Sequence, residues 1–393
     1  MSSGLALQWL QDGEARQACW HSESGLRPPQ RVQLVDDTLS ADAAYRLACE
    51  GTGLLWQGDF QNARHLLQAL SRRIERRASP KGARAGKGAD ATTTTTSKAH
   101  FFHLHRQALA QRARVLGAVL IPLEADYRIA LRRGPDWRVA CTEAWGPPDA
   151  TDPAGPHVAT LRELLGLVGA HEWRKKGVPI AALGGERVHA HYGVFSPVRG
   201  EYVDLVAQAP LGPTALAFDI GTGTGVLAAV LARRGVERVV ATDQDPRALA
   251  CATENLTRLG LQDRVQVLQA NLFPPGRAAL VVCNPPWVPA KASSPIEHAV
   301  YDEGSAMVRG YLNGLAEHLA PHGEGWLIMS DLGEHLGLRD PSDLPGWIAA
   351  AGLRVVARHD IRPHHAKVSD LTDPLHVARA AEVTCLWRLA AVV

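Results

Sequence analysis

The sequence predicts an α/β fold in which a mostly parallel sheet, covered by helices on both faces, follows a mainly helical N-terminal half. Three observations lead to this prediction. After Pro213, short apolar segments alternate with amphipathic helical segments, as a parallel sheet requires. In the first half, apolar residues recur at helical spacing. The composition, with 46% hydrophobic and 21% charged residues among 393, is typical of a globular protein with a sizeable core.

Charge, hydropathy and cysteine content exclude several classes of protein. The net charge is +2, so no field of the whole molecule selects a polyanionic partner. No apolar run is long enough to cross a bilayer, and the first residues lack the basic and apolar regions of a secretory signal. The six cysteines are scattered without a CxxC pair. This pattern predicts a reducing, cytoplasmic setting without disulfides, and no metal site is expected.

The first 175 residues are expected to form a mainly helical domain. Between residues 40 and 77, Ser40 supplies a helix N-cap signal and leucines recur at helical spacing. Three glycines are expected to divide this segment into two helices: Gly51, Gly53 and Gly58.

A segment of low complexity separates these helices from two more. Residues 78–99 are dominated by Gly, Ala, Lys and Thr, which predicts a flexible surface insertion. Residues 101–120 and 160–177 resume helical spacing. Eight basic residues lie between Arg72 and Lys98. They are either a contact for RNA phosphates or, in the interpretation favoured here, a solvated helix end and loop.

The pattern changes after residue 175. Residues 176–210 predict a connecting hairpin with a short strand, a turn and a helix, and residues 211–393 predict the α/β domain. The two strands near the C-terminus, in AGLRVVARHDI and EVTCLWRLAAVV, are expected to form an antiparallel edge. The other strand-like segments are ALAFDI, RVVATD, RVQVLQ, ALVVCN and GWLIMSD.

A glycine-rich loop follows the first strand of the α/β domain. Gly221, Gly223 and Gly225 lie between ALAFDI and a helix, where glycines permit positive φ and the close approach of a ligand. The residue three after Gly223 is Val226, which does not fit a dinucleotide fingerprint, and no lysine follows as in a P-loop. What remains is an acid, Asp219, two residues before the first glycine. The alternative is a tight strand-to-helix turn without a ligand.

The next two strands end in polar residues. Asp243 ends the second strand, about twenty residues after the glycines, and a carboxylate there can accept hydrogen bonds from two ribose hydroxyls. Asp245 has a plainer interpretation as the N-cap of a helix that begins at Pro246. Asn271 follows the third strand, where its amide can both accept and donate hydrogen bonds.

The fourth strand ends in the tetrapeptide Asn284-Pro285-Pro286-Trp287. Because the carboxyl ends of parallel strands share an edge, this tetrapeptide is expected to face the same ligand as the glycine loop. The Asn284 side-chain oxygen and the Pro285 carbonyl can accept hydrogen bonds from a planar nitrogen whose lone pair is delocalised, and Trp287 offers a stacking face. The alternative is a Pro-Pro turn that ends a strand, with Trp287 in the core.

The DxGxGxG run and the NPPW tetrapeptide together resemble the motifs of class I S-adenosylmethionine-dependent methyltransferases that methylate amino nitrogens. The resemblance implies a Rossmann-like seven-stranded methyltransferase sheet and S-adenosyl-L-methionine as the cofactor. It implies Asn284, Pro285 and Trp287 as catalytic residues. It also implies a set of cofactor-binding residues: Asp219, Gly221, Thr222, Gly223, Gly225, Asp243, Gln244, Asn271, Leu272 and Asn284.

Two families within this class share local motifs with residues 185–335. VHAHYGVFSPVRGEYVDLV and NPPWVP resemble the release-factor glutamine N5-methyltransferases, although Trp287 replaces their usual tyrosine. GVFS and Asn271 are similar to features of the ribosomal RNA guanine-N2 methyltransferases. Pro286 and Trp287 of the tetrapeptide are expected to contact the substrate. Tyr192, Phe195 and Arg199 are candidates to line the pocket from the hairpin side, with core packing as the alternative for the two aromatics. His365 lies between the last two strands and is a candidate to reach over the pocket, although a surface loop is the favoured interpretation.

These observations predict an N-methyltransferase that acts on a planar amide or amine nitrogen. A glutamine side chain of a release factor or ribosomal protein ranks first as substrate. The alternatives are an exocyclic amine of a ribosomal or transfer RNA base, a small molecule, and a non-catalytic RNA- or protein-binding module on the same fold. The N-terminal domain is expected to recognise the substrate, and neither DNA nor a membrane is an expected partner.

Overall fold

The chain divides into two compact units. One comprises residues 1–93 and 103–172, and the other comprises residues 94–102 and 173–393. The insertion predicted over 78–99 lies mostly outside the described residues, and from residue 95 the chain is helical. The computed structural model describes residues 5–78, 95–148, 155–292, 297, 299–364 and 368–392.

The first unit is built on a six-stranded mixed sheet with five helices in the same part of the chain. Its strands are β1 (Ala6–Gln11), β2 (Glu14–His21), β3 (Arg31–Val35), β4 (Thr52–Trp56), β5 (Val119–Leu123) and β6 (His157–Thr160). The helices are α1 (Ala41–Cys49), α2 (Phe60–Ala78), α3 (Thr95–Leu116), α4 (Arg138–Trp145) and α5 (Leu161–Lys176). The strand order is β1-β2-β6-β5-β4-β3, in which β2 pairs with β6 in parallel and β5 pairs with β6 antiparallel.

This sheet shows that the prediction of a mainly helical N-terminal half is wrong. All five residues of β4 are buried, so the strand lacks the alternation of polar and apolar residues that reveals a half-buried strand. Its leucines, Leu54 and Leu55, therefore fit helical spacing equally well. Gly51, with a φ of +82°, ends α1 before β4. At Gly53 a Cβ would lie 2.6 Å from the side chain of Pro29, so this glycine permits close packing in the sheet.

Side chains on β2 alternate between the two faces of the first unit's sheet. Ala18 and Trp20 are buried in a cluster that also contains Leu120 of β5 and Val158 of β6. Because successive residues of a strand point to opposite faces, the intervening Cys19 and His21 lie on the other face. Both faces are buried, because Ile121 and Ala159, which alternate along their strands with Leu120 and Val158, are fully buried as well. Cys19 and His21 thus lie on a face that also carries apolar side chains.

The second unit contains the predicted α/β domain. Its strands are β7 (Val178–Pro179), β8 (Arg187–Val188), β9 (Leu216–Ile220), β10 (Arg238–Asp243), β11 (Val265–Gln269), β12 (Ala278–Cys283), β13 (Leu319–Ser330), β14 (Leu353–Ile361) and β15 (Thr384–Ala391). Its helices are α6 (Glu201–Gln208), α7 (Val226–Arg233), α8 (Pro246–Arg258), α9 (Ala306–His318), α10 (Leu332–His335), α11 (Asp343–Ala350) and α12 (His376–Ala381). Short 3₁₀ helices span Ala181–Leu183 and Glu303–Ser305.

Strands β9 to β15 form the seven-stranded sheet that was expected, with the order β11-β10-β9-β12-β13-β15-β14. The first five strands in this order are parallel, and β15 is antiparallel to both of its neighbours, so the predicted antiparallel edge is confirmed. One face is covered by a core that includes residues of α6, α7 and α8. The other face is covered by a core that includes residues of α9 and α11.

Two further expectations concern the chain as a whole. Among the described residues, no helix is both long enough and apolar enough to span a bilayer. The six cysteines all lie in described parts of the chain and are present as thiols.

Candidate cofactor and substrate site

Four parallel strands of the second unit end at one edge of the sheet. Ile220, the last residue of β9, pairs with Thr242 of β10 on one side and with Cys283 of β12 on the other. Since neighbouring strands lie about 4.8 Å apart, the residues that follow them, Gly221, Asp243 and Asn284, form a row. The chain order reverses between β9 and β12, and such a reversal opens the crevice where α/β sheets bind ligands.

The glycine loop after β9 needs its glycines for two different reasons. Gly221, Gly223 and Gly225 all have positive φ, at +70°, +54° and +81°, which is a conformation that L-residues rarely adopt. A Cβ on Gly225 would lie 3.3 Å from Ala252 of α8, so this glycine allows helix packing. A Cβ on Gly223 would meet no atom within 4 Å, so this part of the loop is open to a ligand.

Asp219 holds the glycine loop against the start of α7. One of its carboxylate oxygens, Oδ2, accepts hydrogen bonds from Thr222 Oγ1 at 2.6 Å and from the Ala228 backbone N–H at 3.1 Å. The side chain is buried, and burial raises the pKa of Asp219 to about 6 despite these two bonds. The Asp219 side chain therefore stabilises the conformation of the glycine loop through these two hydrogen bonds.

Asp243 joins the glycine loop to the second strand. Its Oδ2 accepts from the Gly223 backbone N–H, and its Oδ1 accepts from the Asp245 backbone N–H, both at 3.0 Å. Burial raises the pKa of Asp243, and these hydrogen bonds oppose the increase. Each carboxylate oxygen keeps a further lone pair, so the fixed carboxylate can accept additional hydrogen bonds. The next residue, Gln244, is exposed, and its carbonyl accepts from Gln269 Nε2 at 3.3 Å.

The end of the third strand has an unusual backbone. Leu272 has a φ of +69°, which costs a branched residue about 1–2 kcal/mol relative to a right-handed conformation. Its carbonyl accepts a hydrogen bond from Thr242 Oγ1 at 2.6 Å, which fixes this turn to β10. Asn271 is exposed immediately before it, so its amide is accessible at the edge of the sheet.

The tetrapeptide after β12 is partly ordered by its own side chains. Trp287 Nε1 donates a hydrogen bond to Asn284 Oδ1 at 3.0 Å. This bond sets the orientation of the amide, because the indole can only donate. Asn284 Oδ1 retains a second lone pair for another donor. Pro285 is buried, whereas Asn284, Pro286 and Trp287 are half-buried.

A buried arginine links the tetrapeptide to the neighbouring strand. Arg339 is 5% exposed and donates to the Trp287 carbonyl at 3.3 Å and to the Ser330 carbonyl at 2.8 Å. Ser330 Oγ in turn donates to Glu382 Oε1 at 2.7 Å, and Arg199 Nη1 lies 3.5 Å from the same oxygen. The network thus brings the predicted substrate residue Arg199 to the carboxyl end of β13, next to the strand that carries the tetrapeptide.

This network contains acceptors that lack a donor. Glu382 Oε2, Glu201 Oε1 and Thr384 Oγ1 are buried and have no hydrogen-bond partner among the described residues. Burial raises the pKa of Glu382, and the nearby Glu201 raises it further, while Ser330 and Arg199 lower it. Because Thr384 pairs with Ser330 in the sheet, these acceptors lie at the same sheet edge as the tetrapeptide.

Sequence reasoning missed this network for a simple reason. Ser330, Arg339 and Glu382 belong to no short motif, and they are brought together by the antiparallel strand β15. The signal available in the sequence was a charged residue among apolar ones, such as Glu382. If such a residue is buried, it needs a charged or hydrogen-bonding partner elsewhere in the chain.

The remaining predicted substrate residues lie in different places. Tyr192 and Phe195 are half-buried in the segment before α6. The Arg247 guanidinium lies 5.9 Å from the centre of the Tyr192 ring, so this tyrosine is at the first turn of α8, close in sequence to Asp243. His365 lies outside the described residues.

Comparison with known proteins places this site in a family. Residues 186–334 match the family model of the methyltransferase small domain. The chain is 31% identical over 173 residues to a release factor glutamine methyltransferase of Cereibacter sphaeroides, covering 40% of this chain and 60% of the relative. It is 50% identical over 74 residues to a ribosomal protein L11 methyltransferase of Pelotomaculum thermopropionicum, covering 18% of this chain and 24% of the relative.

A third relative is a tRNA1(Val) (adenine(37)-N6)-methyltransferase of Shewanella loihica. It is 29% identical over 209 residues, which cover 49% of this chain and 81% of the relative. The chain spans less than two thirds of the length of the first two relatives. All three matches concern methyltransferases, and the second unit has the seven-stranded sheet and glycine loop expected of that class. The chain therefore carries a class I S-adenosylmethionine-dependent methyltransferase domain, related to release factor glutamine, ribosomal protein L11 and tRNA adenine-N6 methyltransferases.

Proposed function

We propose that this protein is an N-methyltransferase that acts on a planar nitrogen, with a glutamine side chain of a protein of the translation machinery as its substrate. The observation that carries the proposal is the register between β9 and β12. Ile220 pairs with Cys283, so the glycine loop and the Asn284-Pro285-Pro286-Trp287 tetrapeptide follow directly paired residues. A cofactor held by the loop and a target held by the tetrapeptide would therefore be neighbours.

The residues at the sheet edge fit S-adenosylmethionine. Gly223 is open to a ligand, and the Asp243 carboxylate is fixed by two backbone N–H groups with lone pairs to spare. We assign Asp243 to the ribose hydroxyls, Gly221, Thr222, Gly223 and Gly225 to the amino-acid end, and Asn271 with Leu272 to the base. When bound, S-adenosylmethionine supplies an electrophilic methyl group on a sulfonium sulfur.

The tetrapeptide would position the nitrogen to be methylated. The lone pair of a carboxamide nitrogen is delocalised, so the nitrogen must be oriented with its hydrogens held by acceptors for the lone pair to reach the methyl carbon. Asn284 Oδ1 and the Pro285 carbonyl are such acceptors, and both carry partial negative charge that favours the positive charge developing on the nitrogen. Pro285 and Pro286 add no N–H that would compete for those oxygens.

Trp287 has two roles in this proposal. Its indole N–H holds the Asn284 amide in the accepting orientation at 3.0 Å, and its ring offers an apolar face for the planar target group. The Arg339 guanidinium donates to the Trp287 carbonyl. The tetrapeptide is therefore held by one hydrogen bond between its own side chains and by another to its backbone. After methyl transfer the nitrogen is acidic, and its extra proton leaves to solvent or to a neighbouring acceptor.

An amide substrate is favoured by the relative that is a release factor glutamine methyltransferase. A second candidate, an exocyclic amine of an RNA base, is favoured by the relative that acts on adenine 37 of a tRNA.

Transfer of a labelled methyl group tests the proposal. Purified protein is incubated with S-adenosylmethionine carrying a labelled methyl group and, separately, with ribosomal proteins, release factors, tRNA and ribosomal RNA. We expect label in a protein fraction: acid hydrolysis should release labelled methylamine, and exhaustive proteolytic digestion should release N-methylated glutamine. Label in an RNA fraction would instead identify an RNA base as the substrate. Binding of the cofactor without label in any fraction would contradict the enzymatic proposal.

A further inference from the structure

A cluster of potential metal ligands lies in the first unit, on the face of the sheet opposite Ala18 and Trp20. Cys19 and His21 are two residues apart on β2, so both point to the same face. His157, the first residue of β6, is the direct pairing partner of Cys19 in the parallel register of these strands. One ligand atom from each of the three residues lies within 4.8 Å of the others.

We propose that Cys19, His21 and His157 form a Zn²⁺ site with three protein ligands and one open position. A thiolate with two imidazoles is a donor set that zinc prefers. In a tetrahedral zinc site, with metal–ligand bonds of about 2.0–2.3 Å, the ligand atoms lie about 3.3–3.6 Å apart. The three ligand atoms here are already within 4.8 Å of one another, so small rotations of the side chains suffice.

The two histidines already share a contact that a metal would replace. His21 Nε2 and His157 Nδ1 are 3.0 Å apart, so one of these nitrogens donates a hydrogen to the other. On zinc binding, that ring would move its hydrogen to its other nitrogen, and both facing nitrogens would offer lone pairs to the metal.

Aromatic rings pack against the two histidines. The Trp145 indole stacks on the His21 ring at a centroid distance of 4.1 Å, and the Tyr127 ring lies 4.9 Å from that of His157. Tyr127 adopts a φ of +65°, a strained conformation for a bulky residue, and thereby places its ring against both histidines. The rings limit the rotation of the imidazoles and so favour a defined metal geometry.

The open position would accept an oxygen ligand. Trp145 Nε1 is buried and has no acceptor among the described residues. A metal-bound water or a carboxylate of a bound partner would supply that acceptor. Three protein ligands with an exchangeable fourth position are typical of zinc sites that contact a substrate, whereas purely structural sites use four protein ligands.

The absence of a metal site was expected from the sequence because the cysteines are scattered without a CxxC pair. The site would be assembled instead from two strands 136 residues apart, paired side by side. The proximity of the three residues becomes apparent only when the pairing register of β2 and β6 is known.

Cobalt substitution in the full-length protein tests the site. Protein freed of metals by chelation is titrated with Co²⁺, whose thiolate complexes absorb in the near ultraviolet and whose tetrahedral complexes absorb strongly in the visible. We expect one equivalent of Co²⁺ with both absorptions, and displacement by one equivalent of Zn²⁺. Zinc should also remain bound at one equivalent after dialysis, as measured by mass spectrometry.

Variants distinguish the site from chance binding elsewhere. Cys19→Ser should abolish the thiolate absorption, and His157→Gln should weaken zinc affinity at least about 100-fold. Cys49→Ser, which changes another half-buried cysteine of the same unit, should leave both unchanged. Zinc should raise the midpoint of thermal unfolding of the parent protein but not of His157→Gln, and circular dichroism verifies that each variant folds. Retention of the thiolate absorption in Cys19→Ser, or a parent protein that retains no zinc, would overturn the proposal.

Discussion

The two sheets of this protein carry their polar side chains in different places. In the second unit, the polar residues gather at one edge, where parallel strands end. Asp219 is the last but one residue of β9, Asp243 ends β10, and Asn284 follows β12. In the first unit, Cys19 and His21 belong to β2, which His21 ends, and both project from one face of the sheet. The comparison teaches that a site at a sheet edge is formed by short continuous motifs. A site on a sheet face is formed by residues that the register of paired strands brings together.

The largest expected effect concerns the edge of the parallel sheet. Asn284→Ala removes an acceptor that acts when charge develops on the target nitrogen, so kcat should fall about 100- to 1,000-fold. The dissociation constant of S-adenosylmethionine, measured by calorimetry, should change little. Asn313→Ala, at an exposed position of α9, is the matched control. Equal losses in turnover and cofactor affinity would show that Asn284 holds the cofactor instead.

The second effect concerns the pH dependence of stability at the same edge. The folded pKa of Asp219 is about 6, above its ordinary value of 3.8, so the folded state favours the protonated form. The wild-type protein should therefore lose stability as the pH rises from about 4 to about 6, by an amount on the order of 2–3 kcal/mol. Asp219→Asn keeps an oxygen for Thr222 and Ala228 but cannot ionise.

Chemical denaturation at several pH values measures this effect. The gain in free energy of unfolding of Asp219→Asn over wild type should increase from pH 4 to pH 7 and then level off. Asp263→Asn, at an exposed aspartate, should show no such trend. A difference that stays constant across this range would contradict the raised pKa.

The third effect separates cofactor binding from catalysis. Asp243→Ala removes the proposed acceptor for the ribose and the acceptor of the Gly223 N–H, so the dissociation constant of S-adenosylmethionine should rise about 10- to 100-fold. At saturating cofactor, kcat should recover most of its value. Calorimetry and steady-state kinetics measure the two quantities, with Asp263→Ala as control. An unchanged dissociation constant would remove Asp243 from the cofactor site.

The smallest expected effect concerns the indole N–H. Trp287→Phe keeps an aromatic face but removes the donor to Asn284 Oδ1, so kcat should fall by about fivefold, the equivalent of one ordinary hydrogen bond. KM for the substrate should change less than kcat, because the stacking face remains. Trp173→Phe, at a tryptophan that is 53% exposed, is the control. A large rise in KM with unchanged kcat would indicate that the indole only binds the target.

The same comparison explains what sequence reasoning could achieve. In the second unit, β10 coincides with the segment RVVATD, because this strand lies between two helices, α7 and α8, and is bounded by turn residues. In the first unit, β4 and β5 are apolar runs of five residues next to helices, and periodicity cannot distinguish such runs from helix. The fold class of one half was therefore predictable, and that of the other was not.

The candidate site was predictable to a similar extent. The glycine loop, Asp243 and the tetrapeptide occur in sequence at intervals that match a strand-helix repeat, and the structure places them at one sheet edge. The hydrogen bond between Trp287 and Asn284, and the contacts of Arg339, depend on side-chain conformation and on residues 52 positions apart. No local pattern encodes such contacts.

The contact of Arg339 has a consequence for how this family of sites can diversify. The Arg339 guanidinium donates a hydrogen bond to the backbone carbonyl of Trp287, and this bond does not involve the indole ring. The aromatic group at that position is thus exchangeable without disturbing the path of the main chain. Selection for a new target can then act on a single side chain while the main-chain carbonyls of the tetrapeptide keep their positions, although the hydrogen bond from the indole to Asn284 is lost when Trp287 is replaced.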